Sequence, residues 1–137
     1  MLAERNVFGD MKLVIGGYAQ GKLNYVLQQY ALSEYRVYDG IIPPEYEQCG
    51  EITIVNHFHQ WVRDSLLKKG CPEQEVLALL EHYDRCVIIS DEIGNGIVPV
   101  DPFEREYRER VGKILITIAE RADEVERVIC GIGQKIK

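Results

Sequence analysis

Residues 12–22 read KLVIGGYAQGK, and this short stretch decides the fold of the 137-residue chain. Its apolar beginning predicts a buried β-strand over residues 13–15, and the pattern that follows predicts a helix over residues 21–32. The spacing G-x-x-x-x-G-K at a strand-to-helix turn is typical of loops that bind phosphate groups. Glycines let backbone N–H groups converge on an anion, and a helix N-terminus adds favourable partial charge. The residues predicted to bind phosphate are Gly16, Gly17, Tyr18, Ala19, Gln20, Gly21 and Lys22.

The residue after Lys22 departs from this pattern. A serine or threonine hydroxyl that binds Mg²⁺ is expected there, whereas this chain has Leu23. Leu23 instead extends an apolar stripe at helical spacing, which gives the substitution a structural reason. The stripe consists of Leu23, Val26, Leu27, Tyr30 and Ala31. The sequence therefore predicts a phosphate loop that lacks its usual metal hydroxyl, and a fortuitous glycine turn stays open as the alternative.

Composition indicates one globular domain over residues 1–137. Hydrophobic residues make up 46% and charged residues 28% of the chain, which is ordinary globular usage. The net charge of −6 argues against a nucleic-acid partner, because duplex binding normally requires a basic face. The sequence shows neither a signal peptide nor an apolar run long enough to cross a bilayer. We therefore expect no membrane partner, a cytoplasmic location and reduced cysteines, with Cys86 and Cys130 in buried strands.

Strand patterns alternate with helix patterns along the chain. This alternation predicts an α/β fold of three layers, with a mostly parallel sheet of about five strands. The strands are predicted over residues 13–15, 35–38, 52–55, 86–90 and 125–130, and the later helices over 57–69, 72–83 and 103–121. Ligands of such sheets collect at the carboxyl ends of the strands. Four segments are predicted to meet there, namely residues 16–22, 56–59, 91–92 and 131–137.

Several motifs resemble those of one enzyme family. Residues 91–99, DEIGNGIVP, resemble its N-E-V-G-x-G-I-V-P loop, and residues 105–112 resemble its R-x-F-R-D-x-x-G helix. Residues 122–125, ADEV, and 131–137, GIGQKIK, match its A-D-E-V and G-I-x-x-K-I-K segments. Residues 16–22 match its G-G-x-x-x-G-K loop. The family is the bifunctional adenosylcobinamide kinase / adenosylcobinamide-phosphate guanylyltransferase of cobalamin biosynthesis.

The resemblance implies a P-loop protein of RecA-like topology that assembles as a homo-oligomer, a propeller-shaped trimer. Its expected ligands are ATP or GTP, Mg²⁺ and adenosylcobinamide, whose aminopropanol arm is phosphorylated before GMP is transferred through a guanylylated histidine. By resemblance, Lys22 is the phosphate lysine. The strand-end aspartate that helps to hold Mg²⁺ is replaced by Asn56, and the segment with the guanylyl-accepting histidine is absent between Tyr38 and Glu51. Loss of guanylyl transfer is therefore expected.

Two acids follow the most apolar strand. Asp91 stands where the family has asparagine, so we predict that the magnesium carboxylate has moved from position 56 to Asp91. The predicted catalytic residues are Lys22, Asp91 and Glu92, and the predicted metal ligand is Asp91. The alternative that both acids cap a turn or face solvent stays open. The roles of His57 and His59, as guanylyl acceptors or metal ligands, also stay open, although their i, i+2 spacing does not place both on one helix face.

These observations leave two functional hypotheses and a third, bland interpretation as a P-loop-like scaffold with an empty loop. The first is a shortened adenosylcobinamide kinase that has lost guanylyl transfer. The second is a non-catalytic accessory subunit that binds a nucleotide or a corrinoid. Self-association fits both, because Ile116 lies off the main apolar face of its predicted helix.

Overall fold

The computed structural model describes residues 11–31, 34–43, 52–82, 85–93 and 100–137. These residues form a six-stranded sheet whose strand order is β2-β3-β4-β1-β5-β6. The strands are β1 (Met11–Gly16), β2 (Tyr35–Asp39), β3 (Ile52–Asn56), β4 (Cys86–Asp91), β5 (Glu124–Ile129) and β6 (Ile132–Lys135). All pairs are parallel except β5 with β6, which is antiparallel. The predicted α/β fold with a mostly parallel sheet is confirmed.

The helices of the described residues cover both faces of the sheet. They are α1 (Lys22–Leu27), α2 (Phe58–Leu67), α3 (Pro72–His82) and α4 (Pro102–Arg121). Helices α2, α3 and α4 pack on one face and form the larger core, in which Phe58, Val62, Val111 and Ile118 are completely buried. On the other face, α1 covers a smaller core that includes Val14 and Val26. None of the helices in the described part of the chain is long and apolar enough to span a membrane.

Helix α1 is shorter than the predicted helix of residues 21–32. After Leu27 the chain makes tight turns, in which Gln29 N–H donates to Val26 O at 3.0 Å and Tyr30 N–H to Leu27 O at 3.3 Å. These i→i+3 bonds are typical of a helix that tightens at its end. Four of the five stripe residues nevertheless pack as predicted, because Leu23, Val26, Leu27 and Tyr30 all contact the smaller core, whereas Ala31 is exposed.

Strand β6 was missed by the sequence prediction. Its residues, IGQK, are mostly exposed and lack an apolar alternation that would indicate a strand. The turn before it consists of Cys130 and Gly131, whose φ values of 51° and 75° are those of a tight two-residue hairpin. Two predictions are therefore wrong. Cys130 is exposed in this turn and not buried in a strand, and residues 132–137 run back along β5, where Lys137 N–H donates to Val125 O.

The parallel register places the ends of the central strands side by side. Gly16, the last residue of β1, is paired with Asp91, the last residue of β4. On the neighbouring pair, Asp39 at the end of β2 is level with Asn56 at the end of β3. The carboxyl ends of four strands therefore meet at one edge of the sheet, next to the glycine loop.

Candidate functional site

The glycine loop, residues 17–21, connects β1 to α1 in a shape that suits an anion. Ala19 and Gly21 have φ values of 57° and 82°, and the residues between and beside them have ordinary negative φ. Alternation of this kind turns successive N–H groups towards one concave side, which is an anion-binding arrangement. The turn between β5 and β6 holds the loop in place, because Gly131 N–H donates to Gln20 O at 2.8 Å and Cys130 N–H to Gln20 Oε1 at 2.7 Å.

Beside the loop lies a cleft of about 350 Å³, which we call the phosphate cleft. It combines the loop and the start of α1 with the carboxyl ends of β3 and β4. Its lining residues are Tyr18, Ala19, Gln20, Gly21, Lys22, Leu23, Asn24, Asn56, His57, Ile89, Ser90 and Asp91. Three of the four segments predicted to meet at this edge contribute to the cleft directly, and Gly131 of the fourth supports the loop from behind.

Lys22 is buried at this cleft, with 8% of the residue exposed. Its Nζ donates to Gly17 O at 2.7 Å and to Asp91 Oδ1 at 2.7 Å. The predicted phosphate lysine and the predicted metal carboxylate are therefore brought together, as an ion pair. A bound phosphate would meet an ammonium group that already has an anionic partner.

His59 holds the other side of Asp91. The Asp91 N–H donates to His59 Nδ1 at 3.1 Å, and His59 Nε2 lies 3.3 Å from Asp91 Oδ2. Because Nδ1 accepts a hydrogen bond from the backbone, we assign the ring as neutral with its proton on Nε2. Burial lowers the pKa of His59, although the Asp91 carboxylate opposes this effect. His59 is therefore a buried structural partner of Asp91.

The residues at this point do not fit a magnesium ion held by the protein. One Asp91 oxygen is bonded to Lys22 and the other to His59, Leu23 offers only methyl groups, and the amide of Asn56 donates to Asp39 Oδ1 at 2.9 Å. In the described ranges, no three acidic, histidine or cysteine side chains are grouped so that they could hold a metal. The assignment of Asp91 as a metal ligand therefore stays a prediction.

Glu92, the third predicted catalytic residue, is not part of the phosphate cleft. Its carboxylate accepts hydrogen bonds from Arg127 Nε at 3.2 Å and Arg127 Nη2 at 3.1 Å. Its backbone N–H donates to Gly16 O at 2.8 Å and so extends the pairing of β4 with β1. Glu92 is therefore positioned to stabilise the end of the sheet, and its catalytic role stays a prediction.

The structure also reveals a polar group that the sequence prediction missed. Asp39 ends β2, and its Oδ1 lies 2.5 Å from His57 Nδ1 and 2.9 Å from Asn56 Nδ2. Asp39 directly follows the strand predicted over residues 35–38, and the register of β2 with β3 brings it beside Asn56. The sequence offered one signal for this polar group, namely a polar residue directly after the short apolar pattern of residues 35–38.

Comparison with known proteins agrees with this architecture. Residues 42–136 match the family described as cobinamide kinase / cobinamide phosphate guanyltransferase, CobU. The matched residues begin after the glycine loop, so the assignment of that loop depends on its own geometry.

Three curated proteins are similar to parts of the chain. The bifunctional adenosylcobalamin biosynthesis protein CobU of Salmonella typhimurium is 35% identical over 86 residues, which are 60% of this chain and 46% of that protein. CobU of Escherichia coli is 37% identical over 46% of this chain and 37% of its own length. CobP of Pseudomonas aeruginosa is 28% identical over 66% of this chain and 56% of its own length. The chain thus spans about half the length of the curated relatives that it matches, and it belongs to the cobinamide kinase / cobinamide phosphate guanyltransferase family.

Proposed function

We propose that this protein binds the phosphates of ATP or GTP in the phosphate cleft and phosphorylates a hydroxyl group of adenosylcobinamide in cobalamin biosynthesis. The observation that carries the proposal is the position of Lys22, whose Nζ is buried at the cleft beside the left-handed Ala19 and Gly21. Phosphoryl transfer depends mostly on positioning and charge neutralisation, which a buried ammonium and a ring of backbone N–H groups supply. Family membership supports the choice of acceptor.

We also propose that this protein has lost the family's transfer of GMP through a guanylylated histidine. The segment that carries the accepting histidine in the family has no counterpart between Tyr38 and Glu51. The chain has three histidines, and His59 has both ring nitrogens engaged with Asp91. An accepting role for His59 would require it to leave this contact.

A second candidate function is a nucleotide-binding accessory subunit without catalysis. The contacts of Asp91 favour it, because both carboxylate oxygens are engaged and Leu23 adds no metal ligand. A phosphate cleft of this kind still binds anions through N–H groups and Lys22. The two candidates differ in chemistry and not in the place where the nucleotide binds.

Calorimetric titration with ATP and with GTP, each with and without Mg²⁺, tests nucleotide binding. Lys22→Met is expected to weaken binding by about tenfold to a hundredfold, since a hydrogen bond to a charged group contributes about 1.5–3 kcal/mol. Lys113→Met is the matched control, because Lys113 is exposed on α4 and pairs only with Glu109 in the described residues. Equal losses in both variants would contradict the assignment of the cleft.

Two labelled nucleotides then separate the candidate activities. Transfer of the γ-phosphate to adenosylcobinamide would establish the kinase, and binding without transfer would favour the accessory subunit. A protein-bound label from α-labelled GTP would overturn the proposed loss of guanylyl transfer.

A further inference from the structure

The Asp39–His57 pair stands at the edge of the phosphate cleft and has no part in holding Lys22. Oδ1 of Asp39 is 2.5 Å from His57 Nδ1. His57 Nδ1 also lies 3.2 Å from Asn56 Nδ2. Because a carboxylate oxygen cannot donate, we assign the ring as neutral with its proton on Nδ1, and in this tautomer Nε2 has a free electron pair. Asn56 Nδ2 donates to the same Asp39 oxygen at 2.9 Å and keeps the carboxylate in position. This arrangement orients an imidazole as a proton acceptor.

His57 differs from His59 in its surroundings. The side chain of His57 is 41% exposed and lines the phosphate cleft, whereas that of His59 is only 9% exposed. The two rings meet edge to face at 5.8 Å between their centroids. His59 contacts Asp91, and Asp91 contacts Lys22, so a short series of side chains connects the His57 ring to the phosphate lysine.

The backbone of His57 is held in a costly conformation. Its φ of 52° is in the left-handed region, which residues with a side chain adopt uncommonly. Neighbouring bonds keep it there, because Gln60 N–H donates to His57 O at 3.0 Å and Gly40 N–H to Asn56 O at 2.8 Å. Strain of this kind is concentrated at functional sites, where it fixes the direction of a side chain.

A second and larger cavity begins directly beside Asp39. It has a volume of about 580 Å³ and lies between residues 40–43 and the helices α2 and α3. Its lining is amphipathic, with Trp61 and Ile42 beside Asp64 and Lys68. Ser65, which also lines it, has a buried Oγ without a hydrogen-bond partner in the described part of the chain. The cavity therefore offers space, an aromatic surface and charged side chains to a substrate with apolar and polar parts.

We infer that His57 is the general base of the phosphoryl transfer and that Asp39 is its positioning residue. The inference depends on the proposed kinase function. A substrate hydroxyl that extends from the larger cavity gives its proton to His57 Nε2 while its oxygen attacks the γ-phosphorus. The bond between that phosphorus and the β–γ bridging oxygen breaks, and the nucleoside diphosphate leaves with the electron pair. His57 then releases the proton to solvent.

The test compares His57→Ala with the wild-type protein in nucleotide binding and in transfer to adenosylcobinamide. We expect nucleotide affinity within about twofold of wild type and a kcat at least about 100-fold lower, which is the usual contribution of a general base. Added imidazole should restore part of the kcat of His57→Ala and none of that of Lys22→Met. Asp39→Asn should lower kcat less than His57→Ala does and leave nucleotide affinity unchanged. A His57→Ala kcat within threefold of wild type, or an equal loss of affinity and turnover, would overturn the inference.

A chemical measurement covers the case in which His57→Ala does not fold. Diethyl pyrocarbonate modifies free imidazole nitrogens, and peptide mass spectrometry reports the rate at His57 in the wild-type chain. We expect ATP to slow this reaction at His57 at least tenfold, and unchanged reactivity would overturn the placement of His57 beside the nucleotide. A wild-type protein that binds nucleotide without transferring phosphate overturns the general-base role alone. A protein that binds no nucleotide overturns the proposed function itself.

Discussion

Lys22 Nζ and Asp91 Oδ1 lie 2.7 Å apart, and both side chains are largely buried, with 8% and 15% exposed. The lysine of the glycine loop is thus paired with a carboxylate. A carboxylate at this distance competes with phosphate for the same ammonium group. We therefore expect this contact to oppose the binding of a phosphate group to Lys22.

The first prediction concerns Asp91→Asn. Removing the negative charge should raise the affinity for ATP by about fivefold, which corresponds to about 1 kcal/mol. The gain should be similar with and without Mg²⁺, since the competition involves Lys22 alone. Calorimetric titration measures it, and Glu109→Gln on the exposed side of α4 controls for the change in net charge. A loss of affinity confined to solutions with Mg²⁺ would show that Asp91 is a metal ligand after all.

The second prediction concerns stability. Lys22→Met should lower the free energy of unfolding by about 3 kcal/mol, because it leaves the Asp91 carboxylate buried without its cation. The double variant Lys22→Met with Asp91→Asn should lose less than the sum of the two single variants, by at least about 1 kcal/mol. Urea unfolding followed by circular dichroism measures both values. Additive effects would show that the two side chains do not interact in solution.

The third prediction distinguishes two glycines. A Cβ at Gly16 would lie 2.5 Å from the backbone oxygen of Val128, whereas at Gly112 in α4 no neighbouring atom lies within 4 Å. Gly16→Ala should therefore destabilise the protein by at least about 1–3 kcal/mol, since backbone atoms of β5 must move. Gly112→Ala should stabilise it by about 0.5–1 kcal/mol, because alanine loses less entropy in a helix. Thermal unfolding of the two variants measures the difference, and equal shifts would contradict the close approach of β1 and β5.

The fourth prediction concerns assembly, which we propose to be a homo-oligomer, a trimer by family resemblance. Ile116 is 62% exposed on α4, whose inner side is formed by the buried Ile114 and Ile118. The exposed side chain of Ile116 is apolar surface that a second copy of the chain could cover. Light scattering should show an oligomer for the wild-type protein and a smaller species for Ile116→Glu. An unchanged mass in Ile116→Glu would exclude this face from the interface.

Much of the fold could be predicted because its signals are local. Apolar patterns of three to five residues identified β1, β3 and β4, and the glycine spacing identified the loop beside Lys22. Strand β6 could not be predicted in this way, since its pairing depends on the tight turn at Cys130 and Gly131 and not on apolar residues.

The location of the candidate site could be predicted from the sequence, but the contacts between its side chains could not. The sequence indicated that Lys22 and Asp91 lie at one edge of the sheet, but not that they contact each other. The same limit applies to Asp39, which approaches His57 only because β2 and β3 pair in one particular register. The register between two paired strands determines which of their side chains are in contact. The hydrophobic periodicity of each strand does not reveal that register.

The last prediction concerns pH and His59. Burial is the main cause that lowers the pKa of His59 in the folded protein below its ordinary value of 6.5. The unfolded chain therefore takes up a proton at a pH where the folded chain does not. The contribution of neutral His59 to the free energy of unfolding is present in full above about pH 6.5. It is lost as the pH falls towards the pKa of His59 in the folded protein.

His59→Gln should remove this dependence. The free energy of unfolding should fall more steeply for wild type than for His59→Gln between about pH 7 and about pH 5. Urea titrations at several pH values measure the two slopes, and the difference between them isolates His59 from the other groups that titrate in this range. Parallel slopes would show that His59 is solvated in solution, in which case the contact with Asp91 would not persist and Asp91 would be free to leave Lys22.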